Sequence, residues 1–114
     1  MIRIYHNNRC SKSRAALSLL EQHGASFEVI HYLDTPLDAG QIRKLLDLLN
    51  IDARSLLRTG EEAYKTLGLG DPAVDDDALI AAMVTHPKLI QRPIVCANGR
   101  AVIGRPPEAI LAIL

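Results

Sequence analysis

The sequence predicts an α/β fold built on a mixed β-sheet, and three observations carry that prediction. At the N-terminus an alternating segment, a helical stretch and a second extended segment follow in that order. Near the C-terminus Asn98-Gly99 separates two apolar-rich runs, the strongest short-range signal for a β-hairpin. Between these ends the apolar residues recur at helical spacing. Strand–helix–strand, a helical block, then strand–strand–helix make an α/β sandwich of three layers or fewer.

Each element has its own signal. Ile2-Arg3-Ile4-Tyr5 alternates as a half-buried strand does. Asn7-Asn8-Arg9 makes a turn, and from about Cys10 to His23 the residues Ala16, Leu17 and Leu20 fall on one helical face. Gly24 is placed to end that helix in the left-handed conformation that other residues avoid. Phe27 to Tyr32 reads as the second strand, and the strand–helix–strand order favours a parallel pair. After Thr35-Pro36 the stripe Ile42, Leu45, Leu46 and Leu49 predicts a helix that Asn50 ends. Short helical segments follow over Asp52–Leu57 and Glu61–Leu67, with Gly68 and Gly70 as breakers. Asp75 caps a further helix through Val84, with Leu79, Ile80, Met83 and Val84 inward, and Pro87 prevents much continuation. Ile94–Ala97 and Arg100–Ile103 form the hairpin, and Pro106-Pro107-Glu108 opens a last helix with Ile110, Ile113 and Leu114 toward the core.

The composition is that of one globular domain over residues 1–114, whose stretch at about 38–86 reads as a helical block. Apolar residues make up 48% of the chain, enough for a core without staples. Thirteen basic residues balance thirteen acidic ones, which excludes the bulk basicity of a typical nucleic-acid binder. The longest apolar run, Ala78 to Val84, is far short of the ~20 residues a membrane span needs. The first residues hold no apolar signal core, so a cytoplasmic location is expected.

The zero net charge hides a segregation. Residues 1–20 carry Arg3, Arg9, Lys12 and Arg14 with no acid, and residues 78–107 carry Lys88, Arg92, Arg100 and Arg105 with none. Twelve of the acids lie in residues 21–77 against five bases. Two acid-free stretches can fold into one positive site inside a neutral protein.

Cys10 sits where a strand gives way to a helix N-terminus, among His6, Arg9, Lys12 and Arg14. The positive end of the helix dipole and its unpaired N–H groups favour the thiolate over the thiol, and the same groups can cradle an anion. A thioredoxin-type dithiol needs a second Cys at position 13, which is Ser13, and a phosphatase loop needs Arg at position 16, which is Ala16. A resolving thiol must therefore come from another molecule or from Cys96, although Cys96 in its apolar run reads as a buried, inert residue. His6, His23, His31 and His86 lack metal-ligand spacing, and no phosphate loop or dinucleotide fingerprint occurs. Neither a metal nor a bound cofactor is expected.

These residues resemble the active-site segment of the glutaredoxin-coupled arsenate reductase family, in Ile4-Tyr5-His6-Asn7 through Cys10 to Ser13-Arg14. His31-Tyr32-Leu33-Asp34-Thr35-Pro36, Leu56-Leu57-Arg58, His86-Pro87, Arg92-Pro93-Ile94-Val95 and Gly104-Arg105-Pro106-Pro107-Glu108 follow in the family's order. The likeness is greatest to the branch with Arg-Cys-Ser-Lys-Ser-Arg around the cysteine. The resemblance implies a thioredoxin-like fold with a helical insertion, and a cis peptide bond before Pro93 beside the Cys10 loop. It implies that Cys10 is the nucleophile attacking arsenic, that Arg58, Arg92 and Arg105 bind the oxyanion, and that His6, Ser13 and Arg14 support the thiolate. It further implies glutathione as co-substrate and glutaredoxin as partner, with neither nucleic acid nor membrane involved; a monomer is expected.

Guanidinium groups suit this task because they stay charged and offer paired donors to a tetrahedral oxyanion. Arg100, at the hairpin, reads instead as a solvated residue. Asn8 stands where the family usually has Pro, Ser11-Lys12 where it has a Gly-Thr pair, and Ala15 where it has a polar residue. Two other readings share the resemblance. One is a glutathione-dependent thiol reductase of another substrate; the other is a regulator resembling Spx, whose usual Cys-x-x-Cys switch Ser13 removes.

Overall fold

The computed structural model describes residues 2–24 and 26–114. The chain forms two compact units: one built from the residues up to Thr35 together with Arg92–Leu114, the other from Pro36–Gln91.

The first unit is an α/β layer pair. Strand β1 (Ile2–Tyr5) leads through helix α1 (Ser11–His23) to β2 (Phe27–Ile30), and β1 and β2 pair in parallel with Ile4 opposite Val29. β3 (Ile94–Ala97) pairs antiparallel with β1, and β4 (Arg100–Ile103) antiparallel with β3, in the order β2-β1-β3-β4. Alternation sends Ile4, Val95 and Ala97 to one face. There they meet Ala16 and Leu20 of α1 and Ile110 and Ile113 of the C-terminal segment, forming the core. The hairpin turn is the one the sequence predicts, with both Asn98 and Gly99 at positive φ. Gly24 ends α1 at φ 79°, as expected.

Two elements of this unit depart from expectation. The second strand ends at Ile30 rather than Tyr32, because the His31 carbonyl accepts from the Asp34 and Thr35 N–H groups and turns the chain. The last helix, Pro107–Ile113, is 3₁₀ rather than α. Its core-facing residues Ile110 and Ile113 are three apart, which matches the three-residue turn of a 3₁₀ helix.

The second unit is helical: α2 (Ala39–Leu49), α3 (Ala53–Leu56), α4 (Glu62–Thr66) and α5 (Asp76–Thr85), then a 3₁₀ turn over Pro87–Leu89. Asp38, Asp52 and Asp75 each accept a backbone N–H at the start of α2, α3 and α5, and Asp38 with Gln41 completes a capping box. α3 and α4 lie one residue inside the segments predicted over Asp52–Leu57 and Glu61–Leu67, α3 with the Asp52 cap and α4 with no side-chain cap. Val84, expected inward, is half-buried. Among the described residues no helix is long and apolar enough to cross a membrane.

Candidate active site

The loop between β1 and α1 is built from short polar contacts. Cys10 is the N-cap of α1, with extended backbone, and its side chain makes no capping bond. The Cys10 N–H donates to the Asn7 carbonyl at 3.0 Å, and the Cys10 carbonyl accepts from Arg14 N–H at 3.0 Å. The Asn7 side-chain oxygen accepts from Arg9 N–H at 3.0 Å. The thiol is 7% exposed and forms no disulfide.

Behind the loop lies a buried polar pair. His6 Nδ1 and Ser13 Oγ are 2.7 Å apart, and Ser13 Oγ also accepts from the Asn7 N–H at 3.0 Å. Both residues are almost fully enclosed. Burial is the largest influence on His6 and lowers its pKa from the usual imidazole value; the Asn8 side chain opposes this, while His31 and Arg14 reinforce it. The Arg14 guanidinium donates to the Asn8 carbonyl at 2.8 Å, so Arg14 braces the loop. Arg9 and Lys12 stand exposed on either side of the cysteine.

The C-terminal half of the same unit brings Arg105 to this loop, held on the backbone of Arg92. Arg105 Nε donates to the Arg92 carbonyl at 2.8 Å, and Arg105 Nη2 lies 3.8 Å from Cys10 Sγ. The Arg92–Pro93 and Arg105–Pro106 bonds are both cis; the first is the bond the resemblance implies, and the second carried no sequence signal. Arg92 Nε and Nη1 are buried and hydrogen-bond to nothing among the described residues. Buried donors without partners are rare, and an oxyanion would satisfy them.

Gly104 makes this arrangement possible, and sequence reasoning gave it no role of its own. Its N–H donates to the Pro93 carbonyl at 2.8 Å, and a Cβ there would lie 2.8 Å from Pro93 Cγ. His31 is a second residue without an assigned role; its ring meets His6 edge-on with centroids 5.9 Å apart. In the sequence it lies inside the predicted second strand and at the head of a segment that carries the resemblance, without a role.

Arg58 belongs to the helical unit, where its guanidinium pairs with Glu61 at 2.6 Å and reaches the Lys88 carbonyl at 3.3 Å. Cys96, expected buried and inert, is half-buried in β3 opposite Arg3 of β1. The centre lines of both strands are filled by Ile4 and Val95, which leaves Cys96 on the less covered face. Arg100 is exposed in β4, as the sequence suggested.

A family model described as the ArsC family matches residues 5–113. An Escherichia coli (strain K12) protein named "Uncharacterized protein YfgD" is 54% identical over 99% of this chain and 96% of its own. A protein of Neisseria meningitidis serogroup A named arsenate reductase is 52% identical over 99% of this chain and 97% of its own. A solved structure, "Arsenate reductase from Vibrio cholerae", superposes with a TM-score of 0.97 at 51% identity, covering 99% of this chain and 97% of that one.

Proposed function

The chain belongs to the ArsC family, and from that premise we propose that it is a cytoplasmic oxidoreductase reducing arsenate to arsenite with glutathione and glutaredoxin. One observation carries this reading most directly. Arg105 is fixed on the Arg92 carbonyl with Nη2 3.8 Å from Cys10 Sγ, and the side chain of that same Arg92 carries two buried donors that hydrogen-bond to nothing among the described residues. That combination offers a nucleophile and charged donors for the anion it would attack.

In the proposed reaction Cys10 thiolate attacks arsenic, forming a sulfur–arsenic bond as an arsenic–oxygen bond breaks and the oxygen leaves with protons as water. Arg92 and Arg105 offset the charge that grows on the remaining oxygens. Ser13 is no resolving thiol, so glutathione displaces a second oxygen and binds arsenic through sulfur. A glutaredoxin thiolate then attacks that glutathione sulfur, and the electron pair of the broken sulfur–arsenic bond reduces arsenic(V) to arsenic(III). Glutathione leaves as a mixed disulfide with glutaredoxin, and water frees arsenite from Cys10. This two-thiol logic suits a loop with one cysteine. His6, Ser13 and Arg14 hold the loop during the cycle, Pro93 shapes its neighbour, and the working unit is a monomeric thioredoxin-like domain with a helical insertion.

The test is arsenate turnover with glutathione and glutaredoxin supplied. The wild-type chain is expected to form arsenite and Cys10→Ser to form none. Undiminished turnover in Cys10→Ser, or none in the wild type, sinks the reading.

A further inference from the structure

Arg9 and Lys12 flank the cysteine, yet the loop makes no use of their charges. Arg14 donates to the Asn8 carbonyl and Arg105 to the Arg92 carbonyl, so both of those guanidinium groups have fixed tasks. Arg9 and Lys12 are exposed, and among the described residues neither side chain hydrogen-bonds or pairs with an acid. The first acid in the chain is Glu21, more than two helical turns beyond Lys12. Arg9 takes part in the loop only through its backbone N–H, which donates to Asn7 Oδ1.

Cys10 is the buried residue between them. Arg9 precedes it and Lys12 is the second residue of α1, while Ser13, the third, is fully buried against His6. The cations of this region thus fall into an inner and an outer set. Arg92 Nε and Nη1 are buried, which suits a small oxyanion and puts them out of reach of a bulky molecule. The exposed Arg9 and Lys12 stand where a larger sulfur reagent reaches the thiol from solvent. Such a reagent is needed, because Ser13 stands where a local second thiol would be. Two unpaired cations, one on each side of the cysteine, match a thiol with a carboxylate on each side of its sulfur. Glutathione has that form: a tripeptide with its thiol on the middle residue and a carboxylate at each end.

We propose that Arg9 and Lys12 form a carboxylate-binding rim that selects glutathione over uncharged thiols and disulfides for sulfur exchange at Cys10. The inference rests on the reading above that glutathione is the co-substrate, and it adds the residues that recognise it. The exchange is simplest with oxidised glutathione. Cys10 thiolate attacks one sulfur, a Cys10–glutathione disulfide forms and the old disulfide breaks. The second glutathione leaves as a thiolate with the electron pair, so nothing is oxidised or reduced overall. Contacts between exposed charges are each worth only a few-fold in rate or affinity, so the rim acts as a selector beside the buried oxyanion site.

The test compares two disulfides on the full chain at low salt, following the Cys10 peptide by mass spectrometry so that Cys96 does not enter. Oxidised glutathione carries the carboxylates, and bis(2-hydroxyethyl) disulfide carries no charge. The second reagent reads any change in the thiol itself, so the ratio of the two rate constants isolates recognition. That ratio is expected to fall about threefold in Arg9→Gln and in Lys12→Gln, and about tenfold in the double variant. Lys12→Arg keeps the charge and should keep the ratio. Arg100→Gln removes one charge at the other end of β4 from Arg105 and should leave the ratio at the wild-type value. An unchanged ratio in the double variant, or a fall in Arg100→Gln equal to that in the single rim variants, overturns the proposal. Neither arsenate nor glutaredoxin is present in this exchange, so its failure and failure of the reductase reading are separate results.

Discussion

Arg105 carries two contacts at once, a bond from Nε to the Arg92 carbonyl and an approach of Nη2 to Cys10 Sγ. Only a branched, planar cation can make both, since an ammonium is a single point of charge. Arg105→Ala is therefore expected to lower kcat/KM for arsenate by about 10²–10³, and Arg105→Lys to recover only part of that. The same variants should slow alkylation of Cys10 at neutral pH, and steady-state kinetics beside iodoacetamide kinetics check both. Alkylation as fast as wild type in Arg105→Ala would show that the guanidinium does nothing for the thiol. At this scale the sequence was informative wherever a reactive side chain marked its own position: Cys10 at a helix start, and Arg92 and Arg105 each beside a proline. It gave no role to His31 or Gly104, though both stand in segments that carry the resemblance. Their importance comes from what the chain brings against them, an imidazole from the preceding strand end in one case and Pro93 with Ile110 in the other.

Among the elements, the turn from β4 into the C-terminal 3₁₀ helix is the one with least room. A methyl group at Gly104 would lie 2.8 Å from Pro93 Cγ and 3.3 Å from Ile110 Cγ2. Gly104→Ala is thus an overpacking change, expected to cost about 1–3 kcal/mol in urea unfolding. It should also disturb Arg105, the next residue, and lower Cys10 alkylation. A second element-scale expectation concerns α2, where Asp38 and Gln41 satisfy each other's backbone N–H groups. Asp38→Ala should cost about 1 kcal/mol, with no effect on alkylation.

Elements with local instructions were legible in the sequence: the Asn-Gly hairpin, the Gly24 stop and the Asp75 cap each depend on neighbours in the chain. The end of β2 and the 3₁₀ form of Pro107–Ile113 were not. The first depends on a turn closed by the His31 carbonyl, the second on how Ile110 and Ile113 meet the core.

For the whole molecule, charge position matters more than charge total. The chain is neutral, yet its first twenty residues hold four cations and no acid, and Arg92 and Arg105 come from a second acid-free stretch. An anion bound there is favoured by near cations rather than by a long-range field, since the far field of a neutral chain is weak. Binding to the native state alone must also raise its stability. At arsenate ten times its dissociation constant the gain is about 1.4 kcal/mol, which should lift Tm by several degrees. Cys10→Ala, which removes the thiol without adding a capping oxygen, should keep this shift, because it needs no covalent bond, whereas Arg92→Ala should lose it.

The bare N-cap of α1 ties this stability to the direction of turnover. Cys10 occupies the position where Ser or Asp would close the first turn, and its side chain makes no such bond. The opening amides of the helix are left for whatever brings oxygen lone pairs to them. An arsenate dianion does this well; arsenous acid, uncharged near neutral pH, does it poorly. On the proposed reaction, an anionic reactant would complete the helix end and an uncharged product would leave it open, so loss of charge at the last step would also let the product go.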